Sequence, residues 1–141
     1  MNRKGLTVFE LLVALAVFSF LATAVAPGMR SLFARLEMHE ALRAVTAGLS
    51  TARYQAIQEN RPVRVEIAPG RLDLSVGDGP GWRVARTFKL SEKLAIRANS
   101  RPVFSPLGNV SPLCTITLES RQKVCRVVVS MYGRIRVSEN G

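Results

Sequence analysis

Arg134 and Arg136 are the residues whose types and spacing point most directly to a ligand. In Gly133-Arg134-Ile135-Arg136, extended backbone would put both guanidinium groups on one side, about 7 Å apart, with Ile135 turned to the other face. Two planar forks at that spacing can grip successive phosphates. The alternative is a solvated edge strand whose charges discourage aggregation. Cys114 and Cys125 offer a second chemistry, a disulfide. Period-two alternation puts Cys114, Ile116 and Leu118 on one strand face and Cys125, Val127 and Val129 on another, and burying both sets requires partner numbers with an odd sum. A sum of 239 sets Cys114 opposite Cys125, within disulfide range, around a Glu119-Ser120 turn, whereas a sum of 243 separates them.

Other chemically able residues read as structural. His39 lies between Met38 and Glu40 with no second histidine or nucleophile beside it, as a surface helix residue would. Gly77-Asp78-Gly79-Pro80-Gly81 has no helix pattern after it, and Pro80 lacks an amide that a phosphate loop would use, so it reads as a turn. Trp82 reads as core or rim packing. One His, two Cys and no acidic cluster lack the ligands of a zinc finger, a four-thiolate site or an HExxH site. No nucleophile, base and oxyanion set assembles from the spacing. The expectation is a protein without catalysis, metal or cofactor.

Leu11 to Met29 is a run of 19 residues without a charge, about 28 Å as a helix and so enough to span a bilayer. Ala24-Val25-Ala26 fits secretory signal cleavage, yet Pro27 would follow that cut. Glu10 would also lie in the apolar region, where comparable charges cost about 2.5–3.5 kcal/mol. A carboxylate at that depth needs a partner, and the nearest would be the amine freed by a cut between Gly5 and Leu6, with Glu10 then fifth in the chain. Pro27 withholds the amide that would bond the Thr23 carbonyl, which predicts a kink or a locally melted turn.

These residues need elements to hold them. The 141 residues suit one domain, and 48% hydrophobic content with mean hydropathy +0.15 excludes a disordered tail. Twenty basic residues, 16 of them Arg, against ten acidic ones leave a net charge of +10, which favours forked contacts to carboxylates or phosphates. Leu42, Val45, Leu49, Ala52 and Ala56 recur at spacings of 3 and 4, the stripe of an amphipathic helix, and Pro62 ends it near Asn60. A helix from Leu6 to about Asn60 would run roughly 80 Å, half in lipid and half on a head. Val63, Val65 and Ile67 alternate with Arg64 and Glu66, then Pro69-Gly70 turns the chain into Leu72, Leu74 and Val76. Period-two stretches follow at 82–90, 94–98, 113–118 and 124–137. A long N-terminal helix covering an antiparallel sheet of about six strands is an α+β architecture. It divides into a leader at 1–5, a membrane helix at 6–29 and a head at 30–141.

Lys4-Gly5-Leu6-Thr7-Val8-Phe9-Glu10-Leu11 resembles the prepilin peptidase site of type IV pilins and type II secretion pseudopilins, although Leu6 stands where Phe or Met is more usual. Pro27 is similar to a proline that the family often carries near this depth. Ala52-Arg53-Tyr54-Gln55-Ala56-Ile57 with Asn60-Arg61-Pro62-Val63, Phe104-Ser105-Pro106-Leu107-Gly108, and Val127-Val128-Val129-Ser130 with Gly133-Arg134-Ile135-Arg136-Val137 resemble the GspH/FimT group of minor pseudopilins and minor pilins. The resemblance implies cleavage after Gly5 by prepilin peptidase, methylation of the new amine and a need for Glu10 in filament assembly. It implies a single pass of the bacterial inner membrane, a periplasmic head, and assembly with other pilins or pseudopilins in the tip or initiation complex of a type IV pilus or type II secretion system. An oxidising periplasm would let a Cys114–Cys125 disulfide persist. Gly133-Arg134-Ile135-Arg136 also resembles the GRxR motif of FimT-like minor pilins, which implies DNA as a partner held by Arg134 and Arg136 on an alternative, competence reading.

Overall fold

The computed structural model describes residues 7–120 and 123–140; side chains at 24–27, 30, 139 and 140 fall outside that description. Gly5 and Leu6, the expected cleavage site, also lie outside it. Among the described residues, one helix, α1 (Val8–Glu59), is followed by nine strands. The chain divides into two units, Met1–Arg35 and Leu36–Gly141.

In the first unit the helix starts on Thr7. Its hydroxyl accepts the Glu10 amide (3.3 Å) and its carbonyl accepts the Leu11 amide (3.1 Å), the bonds of an N-cap residue. Glu10 thus sits in the first turn, where a carboxylate is favoured by the helix dipole. Beyond it the surface is apolar all round: Phe9, Leu12, Val13, Leu15, Phe18, Phe20 and Leu21 are all exposed. The hydroxyls in this stretch turn inward to their own helix, Ser19 donating to the Leu15 carbonyl and Thr23 to the Phe20 carbonyl. Among the described residues no stretch is long and apolar enough to cross a membrane. The uncharged run read from the sequence includes positions 24–27, whose side chains lie outside them. Helix α1 continues through position 27, while the kink or locally melted turn expected at Pro27 falls where side chains lie outside the described residues.

In the second unit Met38, Ala41, Leu42, Val45, Leu49, Ala52 and Ala56 form the buried stripe. The helix ends as the sequence predicts. Asn60 takes φ 50°, and the Arg61 amide reaches back to the Ala56 carbonyl (3.3 Å), closing a Schellman-type cap before Pro62. Strands β1 (Val63–Ala68) and β2 (Arg71–Asp78) form the expected hairpin through Pro69-Gly70, with Val63 opposite Val76 and Ala68 opposite Arg71. β3 (Gly81–Lys89), β4 (Ala95–Ala98), β5 (Val103–Phe104), β6 (Val110–Ser111), β7 (Cys114–Glu119), β8 (Val124–Val129) and β9 (Ile135–Asn140) complete the head.

The strands make two antiparallel sheets rather than one, ordered β3-β2-β1-β5-β6 and β4-β7-β8-β9. Their inner faces and the helix stripe share a single core that includes Leu72, Leu74, Phe104, Ile116, Leu118, Val127 and Val129. The stretch 124–137 is also two strands. A turn at Ser130–Gly133 interrupts it, because Gly133 takes φ 72° and its amide bonds the Ser130 carbonyl (2.8 Å).

The register of β7 on β8 corrects the expected disulfide. Cys114 faces Val129 and Cys125 faces Leu118, the sum of 243. The Ser120 amide closes onto the Lys123 carbonyl (2.9 Å), so the turn lies beyond Glu119 and not at Glu119-Ser120. Both registers keep the same residues inward, and the turn decides between them. The two cysteines lie four ladder positions apart, about 13 Å along the strands, well outside disulfide range.

Candidate functional site

Two turns of the same design meet at one end of the head. Each begins with Ser and ends with Gly: Ser105-Pro106-Leu107-Gly108 and Ser130-Met131-Tyr132-Gly133. In each, the glycine amide bonds the serine carbonyl at 2.8 Å and the glycine has positive φ, 79° at Gly108 and 72° at Gly133. The Val110 amide donates to the Met131 carbonyl (2.8 Å) and joins the two. The Arg134 amide donates to the Ser130 hydroxyl (3.1 Å), and the Arg134 carbonyl accepts the Ser130 amide (3.0 Å), so the backbone of Arg134 is held on both sides.

Arg134 is the last residue of this turn, not the strand residue the sequence reading made it; β9 begins at Ile135. Ile135 packs against the core as expected. Arg134 and Arg136 nevertheless reach one groove of about 500 Å³, lined also by Val128, Ser130 and Tyr132. Both arginines are exposed. Among the described residues the ion pairs are Arg61–Asp78, Arg71–Asp73, Lys93–Glu37 and Arg101–Glu66, and neither Arg134 nor Arg136 takes part.

A second cleft, of about 670 Å³, lies between the last turns of α1 and the same loop, with Arg53, Tyr54 and Ile57 on one side and Tyr132, Gly133 and Arg134 on the other. Arg53 bridges it by donating from one terminal nitrogen to the Gly133 carbonyl (3.2 Å). Arg53 carries no role in the sequence analysis above. No pattern in the sequence marks it, because its partner is a backbone carbonyl 80 positions away.

The remaining candidates are not brought to this site. His39 is exposed on α1. Gly77–Gly81 forms the β2–β3 turn, with Asp78 opposite Gly81. Trp82 is at the sheet edge with the Arg64 guanidinium 4.5 Å above its ring, a cation–π contact that occupies one aromatic face. Among the described residues no group of three or more His, Cys, Asp or Glu can hold a metal. Burial pushes the Cys114 thiol above its ordinary pKa of 9.0, although its sulfur donates to the Ser100 carbonyl.

A capped apolar helix followed by a two-sheet α+β head is the pilin-like fold class. Residues 1–26 match the family model for the prokaryotic N-terminal methylation motif. The structure is similar to that of the minor pseudopilin EpsH from the Type 2 Secretion System of Vibrio cholerae, with a TM-score of 0.59 and 18% identity, covering 71% of this chain and 96% of that one. A comparison with curated protein sequences finds no match. The chain thus carries a prokaryotic N-terminal methylation motif over residues 1–26 and shares the α+β fold of that minor pseudopilin.

Proposed function

We propose that this chain is a minor pseudopilin or minor pilin. It is cut between Gly5 and Leu6 by prepilin peptidase and held in the inner membrane by residues 6–29. It then assembles with other pilins or pseudopilins at or near the filament tip, with residues 30–141 as its periplasmic head. The observation that carries this reading is the methylation motif over residues 1–26, which leads into a helix apolar on every exposed face. Such a surface is stable only in lipid or among like helices. Its hydroxyls bond their own backbone, as either environment requires. Glu10 then supplies the carboxylate that pairs with the freed amine of a neighbouring or of its own chain.

Mass spectrometry of protein from the membrane should give a mature N-terminus at Leu6, and Gly5→Val should block processing. An intact Met1, or a start at Pro27, refutes the assignment. Glu10→Gln should be processed yet fail to enter filaments.

The groove shared by Arg134 and Arg136 favours a second reading, in which the same subunit captures DNA. Two exposed guanidinium forks on one surface suit adjacent phosphates. A deletion strain scored for secretion, twitching and transformation separates the two systems: loss of transformation alone supports DNA uptake, and loss of secretion alone refutes it.

A further inference from the structure

We infer that Arg53 is the positioning residue for the Arg134–Arg136 groove: it fixes the Gly133–Arg134 peptide from the helix, against turns whose glycines at 108 and 133 leave room for it. This rests on the reading of Arg134 and Arg136 as phosphate ligands.

The geometry is specific. Arg53 lies half-buried on α1, 80 positions before the carbonyl it holds. A Cβ on Gly133 would stand 3.0 Å from Arg53 Nε and 2.5 Å from the Gly108 carbonyl oxygen. A Cβ on Gly108 would stand 3.2 Å from the same Nε. Both turns therefore close on one guanidinium. Among the described residues no carboxylate pairs with it. Its charge is held beside backbone oxygen, where a guanidinium offers several fixed donors in one plane.

The carbonyl that Arg53 holds belongs to the peptide unit that carries the Arg134 amide. That amide bonds Ser130, so the entry to β9 is pinned from the helix and from the turn together. Arg53 itself is turned to the loop and, of these two clefts, lines the one on the helix side, whereas Arg134 lines both. It thus acts through Arg134 and makes no phosphate contact of its own.

Salt dependence distinguishes positioning from contact. Binding of full-length protein in detergent micelles to a fluorescent duplex is measured across a salt series. Arg134→Gln with Arg136→Gln should lower the slope of log affinity against log salt by about 2, since each lost phosphate contact removes about 0.9. Arg53→Gln should weaken binding by about three- to tenfold, the equilibrium worth of one hydrogen bond, and leave the slope unchanged. Arg53→Lys, which keeps a donor, should recover part of the loss. A slope reduced by about 1 in Arg53→Gln would make Arg53 a phosphate ligand and overturn the inference. So would unchanged affinity in Arg53→Gln while the Arg134 and Arg136 variant loses binding. If the parent does not bind duplex DNA, the phosphate reading falls and takes the inference with it.

Discussion

Val129→Cys should create a disulfide with Cys114 that the natural pair Cys114 and Cys125 does not form. Cys114 and Val129 are direct partners in the β7–β8 ladder, and both are 1% exposed. Directly opposed Cα atoms in an antiparallel pair lie about 4.5–5.5 Å apart, inside the range a disulfide tolerates. Cys125 is four positions further along, about 13 Å away and beyond reach. The new bridge would close a loop of about 16 residues and restrict the unfolded chain, a stabilisation of about 3 kcal/mol. With a urea m-value of about 1–2 kcal/mol/M for a domain of this size, the midpoint should rise by about 1.5–3 M and fall back on reduction. Oxidation is best done during refolding, because burial holds the Cys114 thiol protonated in the native state. Peptide mapping of the unreduced parent decides the register: a Cys114–Cys125 bridge there would refute it.

Leu49→Ala, which empties a fully buried position on the helix stripe, should cost about 2–5 kcal/mol in urea unfolding, whereas Leu107→Ala, at 85% exposure, should stay within about 0.5 kcal/mol. Asn60→Val should destabilise by about 1–2 kcal/mol and Asn60→Gly should not, because the helix cap requires φ 50°. Stability should fall on the alkaline side in two stages. The Cys114 thiol has its folded pKa raised, so its contribution is complete below the ordinary 9.0 and is lost as pH rises through the folded value. The Lys93 ammonium, raised above 10.5 by its hydrogen bond and charge pairing with Glu37, behaves likewise at higher pH. Cys114→Ala should remove the first stage and Lys93→Met the second, as read from thermal midpoints between pH 7 and about 11.

Local signals carried the parts of the fold that local chemistry decides. The stripe from Leu42 to Ala56, the stop at Asn60 and the Pro69-Gly70 hairpin each follow from a few neighbouring residues, and the structure has all three. β5 and β6 are two residues each, too short to show any period, so the split into two sheets was hidden. Met131 and Tyr132 suit a strand as well as a turn, which merged β8 with β9 until Gly133 took its positive φ. The cysteine register depended on where the Ser120–Lys123 turn closes, and both choices satisfied the alternation. Arg53 was invisible for another reason. Its partner is a backbone carbonyl 80 positions away, and nothing about an arginine among sixteen marks that contact.

The order of the elements along the chain has a consequence for biosynthesis. The helix stripe ends at Ala56, but Val129 on β8, a central strand of the second sheet, emerges 73 positions later. At about 5–20 residues per second, the ribosome leaves the stripe without its full cover for about 4–15 seconds. Over that interval the β1–β2 and β2–β3 hairpins can close on their own, since their contacts are near neighbours, while the second sheet does not yet exist. The nascent head therefore passes through a stage with half its core built and apolar helix exposed. Shielding of the exposed helix stripe matters most in that window, and slowing elongation ahead of β7 would lengthen it.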